Sequence, residues 1–208
     1  MQRATEASPT KRSQSGFTLL ELMITLAVAG VIVGLAVPTM RTFGQNNKLA
    51  GASNDLLRSF QIARSEAIKR QQNVVVCATT DPTAANPVCS YGTVNFKGWI
   101  VFQDSNGNWQ SDGDATEPVI ERHGLLDTTL NVRNDKNGIE SYNSQGFANP
   151  KATKDPTRNI VICDKRGVTL SAGSSTARAI VISNTGRTLV TKDNTAVTAA
   201  AGQTGACP

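Results

Sequence analysis

The chain has 208 residues, 39% of them hydrophobic, and a formal net charge of +5. That length suits one modest domain with an appended helix. The mild charge is not that of a general nucleic-acid binder, although it leaves room for a local basic patch. Four cysteines, a single histidine and no CxxC pair argue against a metal centre and for up to two disulfides in an oxidising compartment.

Residues 1–16 are polar and aperiodic, and belong to processing and not to the fold. They end in Lys11 and Arg12 just ahead of Gly16. Behind Gly16 comes an apolar run in which Glu21 is the only charge until Arg41. A helix over Phe17 to Met40 would be roughly 36 Å long at ~1.5 Å per residue, enough to cross a hydrocarbon core of about 30 Å. Basic residues then stand on the cytoplasmic side. A secretory signal carries its small-residue cleavage site after the apolar core. Here Gly16 precedes the core, so cleavage there would discard a polar leader and keep the helix. Lys11-Arg12-Ser13-Gln14-Ser15-Gly16 followed by Phe17-Thr18-Leu19-Leu20-Glu21 resembles a type IV prepilin site. That resemblance implies a prepilin peptidase that cuts after Gly16 and methylates Phe17.

Glu21 is the expected assembly residue. An ionisable side chain inside an apolar span is costly and needs a partner. Cleavage after Gly16 creates one, the ammonium of Phe17 on the same or a neighbouring chain, and resemblance to pilins implies that pairing in the filament. The plainer alternative is a carboxylate resting at headgroup level. Gly30, Gly34 and Pro38 interrupt the apolar helix, and proline tends to kink one.

From Leu49 the pattern changes to Leu49, Ser53, Leu56, Leu57, Phe60, Ala63, Ala67 and Ile68. This three- and four-residue spacing predicts an amphipathic helix with one face on a core, ending near Gln72. Short β-rich runs follow, each bounded by Gly, Asn, Asp or Pro: 73–79, 98–102, 118–122, 130–133, 159–163, 179–182 and 187–190. Residues 141–157 read as a loop with one short strand. The Ala/Thr/Gly-rich tail from Asn194 to Gly205 would drift unless Cys207 tethers it. The four cysteines allow three connectivities. Pairing Cys77 with Cys89 closes a short loop and leaves Cys163 with Cys207 to pin the tail.

The expected fold class is therefore α+β and pilin-like, with a long N-terminal helix packed on antiparallel sheets. Its segments are a leader (1–16), a transmembrane and filament-core helix (17–40), an amphipathic half (41–72) and a periplasmic β-rich head (73–208).

Asp104, Asn106, Asn108 and Asp112 alternate as at the start of a calcium loop. Trp109 stands where glycine belongs, and the bidentate carboxylate is missing, so Asx turns between strands account for the stretch as well. Gly98-Trp99-Ile100-Val101-Phe102, the Asp104–Asp112 stretch and Glu117-Pro118-Val119, with the later Asn184-Thr185-Gly186-Arg187, resemble the family shared by the FimT/FimU minor pilins and the H-type pseudopilins of type II secretion. Some FimT proteins bind DNA through a Gly-Arg-x-Arg motif. Gly186 and Arg187 match it, but Leu189 replaces the second arginine. Arg158, Lys165, Arg166, Arg178 and Lys192 are candidates for a basic surface near Arg187, where phosphate contacts would be weak and salt-sensitive. The alternative is a solvated turn arginine.

No catalytic constellation accompanies these motifs. His123 follows an apolar strand without a local Ser or Cys partner, and no phosphate-cradling loop occurs. The chain is expected to be a structural protein without cofactor, held in the inner membrane and then built into a type IV pilus. Its expected partners are other minor pilins, the major pilin, the prepilin peptidase and the inner-membrane assembly platform, with a secretion pseudopilin or a DNA-binding pilin as alternatives.

Overall fold

The computed structural model describes residues 16–90, 98–134, 139–149, 157–168, 170–171, 173–204 and 207. The chain divides into two compact units, Met1–Phe43 and Gly44–Pro208, and the division falls inside helix α1 (Leu19–Arg70). In the first unit Thr18 caps the helix, its Oγ1 accepting from the Glu21 amide at 3.2 Å. Glu21 lies in the first turn, where a carboxylate complements the helix dipole. The helical assignment continues through Gly30, Gly34 and Pro38.

The second unit, the head, is built on the rest of α1. Leu49, Ala52, Leu56, Phe60, Ala63 and Ala67 are buried along one stripe, as their spacing predicts, together with Ser53 and Ser59. Ser53 satisfies its hydroxyl on the Leu49 carbonyl at 2.7 Å, and Ser59 accepts from the Trp99 indole at 2.8 Å. Leu57 is half-buried and Ile68 exposed, so the sequence pattern overstates the stripe at those two positions. The helix stops at Arg70 because Gln71 turns left-handed (φ 55°) and the Gln72 amide reaches back to the Ala67 carbonyl at 3.3 Å. This is the six-to-one closure that glycine usually permits.

Two antiparallel sheets follow. The first contains β1 (Asn73–Thr79), β2 (Gly98–Asp104), β3 (Val119–His123) and β5 (Ile139–Tyr142) in the order β3-β2-β1-β5. The second contains β4 (Asn131–Asn134), β6 (Thr157–Cys163), β8 (Ser174–Ser183) and β7 (Leu170–Ser171) in the order β4-β6-β8-β7, with β9 (Thr188–Asp193) also on β8. Side chains alternate across a strand, and that alternation makes three clusters. Val74, Val76, Trp99 and Val101 of the first sheet join Ile160, Ile162, Ile180 and Ile182 of the second beneath α1. The opposite face of the first sheet (Val75, Cys77, Ile100, Phe102) is covered by Cys89 and Trp109. The opposite face of the second (Val161, Cys163, Ala177, Ala179) is covered by Val197 and Ala200. Burial on both faces explains why Val74-Val75-Val76 reads as an unbroken apolar run.

Disulfides join Cys77 to Cys89 and Cys163 to Cys207. The loops they close span 12 and 44 residues, for which chain entropy alone gives about 3 and about 4 kcal/mol.

The structure corrects the sequence reading at the tail. Residues 194–204 form helix α2 (Asn194–Thr204), capped by Asp193, whose Oδ1 accepts from the Ala196 amide at 3.1 Å. Alanine is the best helix former, and Val197 and Ala200 give the helix an apolar stripe to bury. The tail is thus packed through Val197, Ala200 and Ala201 as well as tethered by Cys207. The short strand expected in 141–157 is β5, which starts earlier, and Tyr142 also bridges to Ala148. β8 begins at Ser174, five residues before the run expected from the sequence, whose mostly polar approach carries no strand signature. Residues 150–156, and the side chain of Arg158, lie outside the described residues.

Candidate functional site

Apolar side chains from Phe17 to Met40 are exposed, with Phe17 itself 81% accessible. Among the described residues of the first unit nothing else covers them. Glu21 is exposed as well, and its carboxylate has no partner among the described residues. A surface this apolar requires lipid or other apolar helices, and its one carboxylate then requires a cation or donor from outside the helix. Gly16 and Phe17 precede the helix, with Gly16 open on all sides.

The Asp104–Glu117 stretch is held by its own hydrogen bonds. Asp104 is buried and uses Oδ1 for the Gly107 amide (2.8 Å) and Oδ2 for the Trp109 amide (3.3 Å). Asn106 and Asn108 both donate to Asp112 Oδ2, at 2.8 and 3.0 Å. Glu117, also buried, accepts from the Ser105 and Asn106 amides through one oxygen and from the Asp112 amide through the other. Trp109 takes the left-handed conformation (φ 69°) that glycine would have supplied, and buries its ring over the Cys77–Cys89 side of the first sheet. No group of three acids, histidines or cysteines among the described residues is placed to hold a metal ion. The geometry is that of a stapled turn.

The candidate basic residues separate to two ends of the head. Arg166 is locked to Asp164 through Nε and Nη2 and reaches Asn46 of α1 through Nη1 at 3.1 Å. Arg178 donates Nη1 to the carbonyls of Thr176 and Ala177. Burial first, and then the charge of Arg166, push that guanidinium below its ordinary value. Burial works against the ionised form of Asp164, but Arg166 more than offsets it and holds the carboxyl below the usual range. Lys165 is exposed and lines, with Gln45, Lys48 and Asn131, a pocket of about 420 Å³.

Gly186 and Arg187 belong instead to a turn held by Arg64 of α1. Arg64 Nε donates to the Gly146 carbonyl at 3.0 Å and Nη2 to the Thr185 carbonyl at 3.1 Å. Eighteen residues of helix separate Asn46 from Arg64, roughly 27 Å at ~1.5 Å per residue. Arg166 and Arg187 therefore do not share one basic surface, and Arg158, which pairs with Ile182 through its backbone, has its side chain outside the described residues. Arg187 is exposed at the Arg64 end.

Two arrangements escape the sequence reading. His123 stacks on Trp99 with ring centroids 3.7 Å apart and sets Nε2 3.5 Å from Asp55 Oδ2 of α1, tying β3 to the helix. The Arg64 bridge joins residues more than eighty positions apart. Neither leaves a local sequence signal, because each partner is an ordinary polar residue in its own segment.

Residues 52–186, from the head portion of α1 to the glycine of the late turn, match the family of the type II transport protein GspH. The chain belongs to the GspH family. Residues 11–37 of this GspH-family chain also match the prokaryotic N-terminal methylation motif, which contains Gly16, Phe17 and Glu21. Among relatives, a fimbrial protein of Pseudomonas aeruginosa is 29% identical over 72 residues, 35% of this chain and 46% of that protein. The pilin-like protein PilA1 of Thermus thermophilus is 31% identical over 102 residues, 48% of this chain and 54% of that protein. The chain spans about half the length of these relatives. Crystal structures of the type IV minor pilin FimU of P. aeruginosa are similar at TM-scores of 0.49 and 0.46. Identities are 21% and 20%, covering 74% and 68% of this chain and 94% and 91% of those.

Proposed function

We propose that this GspH-family chain is a minor pilin, cleaved after Gly16, methylated at Phe17 and built into a type IV pilus as an assembly or initiation subunit near the tip. Before assembly it resides in the inner membrane with its head in the periplasm. The observation that carries this reading is the exposed apolar helix from Phe17 to Met40 with one unpartnered carboxylate. Such a helix suits lipid first and a bundle of like helices afterwards, and Glu21 supplies the one charge for which a newly freed amine is the complement. Other minor pilins, the major pilin and the assembly platform are the partners this implies.

The test is Glu21→Ala in the producing cell. The variant should insert in the membrane and be processed to start at Phe17 by mass spectrometry, yet be depleted at least about tenfold from sheared filaments, as loss of a desolvated charge pair would give. Normal incorporation defeats the reading. A second reading, a subunit of a type II secretion filament, is favoured by the description of the family that residues 52–186 match. Deletion of the gene separates the two, abolishing pili in one case and protein secretion in the other.

A further inference from the structure

At the C-terminal end of α1 two turns stack on one another. Gly146 lies against Ile68, whose Cδ1 would be 2.7 Å from a Cβ at that position. The Ala148 amide donates to the Asn184 carbonyl at 3.1 Å, which sets Phe147 beside the turn that carries Arg187. Arg64 pins both turns through their carbonyls. This junction leaves Ile68 and Phe147 44% and 46% exposed, two large apolar side chains on adjoining segments. Arg187 is exposed, and its guanidinium has no partner among the described residues. The only acid in residues 64–70, 143–148 and 183–188 is Glu66. It is already engaged by Lys69 at 3.3 Å and Arg70 at 2.6 Å.

We propose that this junction is a protein-docking surface for a segment carrying an apolar side chain beside a carboxylate. The apolar residue would cover Ile68 and Phe147, and the carboxylate would take Arg187 in a two-pronged bond. An apolar pair flanked by an unpaired arginine on a rigid support has the composition of an interface hot spot. Nucleic acid fits less well. Tracking a phosphate backbone needs several unengaged cations, and among the described side chains at this junction Arg64 is spent on carbonyls and Lys69 and Arg70 on Glu66. On the filament reading the segment belongs to a neighbouring subunit, but the surface is testable without filaments.

The experiment uses the purified full chain in detergent micelles, passed over an immobilised array of synthetic peptides with Leu or Phe beside Asp or Glu. Matched peptides carry Asn, Gln or Lys in place of the acids. Acidic-apolar peptides should be retained over their matched controls. Arg187→Glu and Phe147→Ala should each reduce retention about tenfold, while Arg187→Lys keeps part of it. Both side chains are exposed, so the variants should melt within about 2 °C of the parent, consistent with surface positions. Equal retention of acidic and neutral peptides, unchanged retention by the variants, or stronger competition by a single-stranded oligonucleotide than by peptide overturns the proposal. A filament-defective Glu21→Ala protein should still bind, so the two readings fail separately.

Discussion

Gly186 shows how much a single hydrogen can hold. Its φ is +78°, and an added Cβ would collide with the Gly146 carbonyl and press on Arg64 and Tyr142. Gly186→Ala adds backbone strain to overpacking, and we expect it to cost about 3 kcal/mol or more in urea unfolding. The Gly186–Arg187 pair thus has a structural half and an exposed half. Asp127 makes a different prediction. Lys48 at 2.7 Å, followed by the hydroxyl and amide of Thr129, holds its carboxyl well below the usual range. A depressed carboxyl stabilises the fold fully above its unfolded value, near 4. That contribution fades as the pH falls towards the folded value. Asp127→Asn should therefore melt lower than the parent at pH 6, and the gap should close as both are titrated towards pH 2.

Among the elements, legibility followed periodicity. The α1 stripe was plain from its three- and four-residue spacing, and the strands around Val75, Ile100, Val161 and Val181 from short apolar runs bounded by turn residues. Helix α2 was not. Alanine and threonine carry little apolar signal, and the helix depends on a sheet face and a disulfide distant in sequence. The candidate site divides in the same way. The proposed cleavage and assembly residues lie within a few positions of one another, inside the stretch that matches the methylation motif. The basic residues could not be placed, since which of them meet depends on how the sheets close around α1. Because α2 is held by a small apolar stripe and one covalent tie, Cys207→Ser should lower stability by up to about 4 kcal/mol. Hydrogen exchange should show α2 opening before β6 and β8 do.

At the scale of the whole molecule, the two units obey different rules. Among the described residues, those of the head bury three apolar clusters within their own chain, whereas the apolar side chains of the first unit are exposed. The head is a self-sufficient fold, and the first unit is completed only by its surroundings. That contrast is why Glu21→Ala is predicted to spare folding and membrane residence while impairing assembly.

The second disulfide also sets a timetable. On the proposed reading, in which the head is exported, Cys77 can find Cys89 once those residues emerge, but Cys163 in β6 must wait for residue 207. Until then only the apolar stripe of α2, Val197 and Ala200, holds it over Val161 and Ala179. A chain that ends or stalls before residue 207 would therefore remain unlatched, and limited proteolysis should cut its α2 segment sooner than that of the full chain.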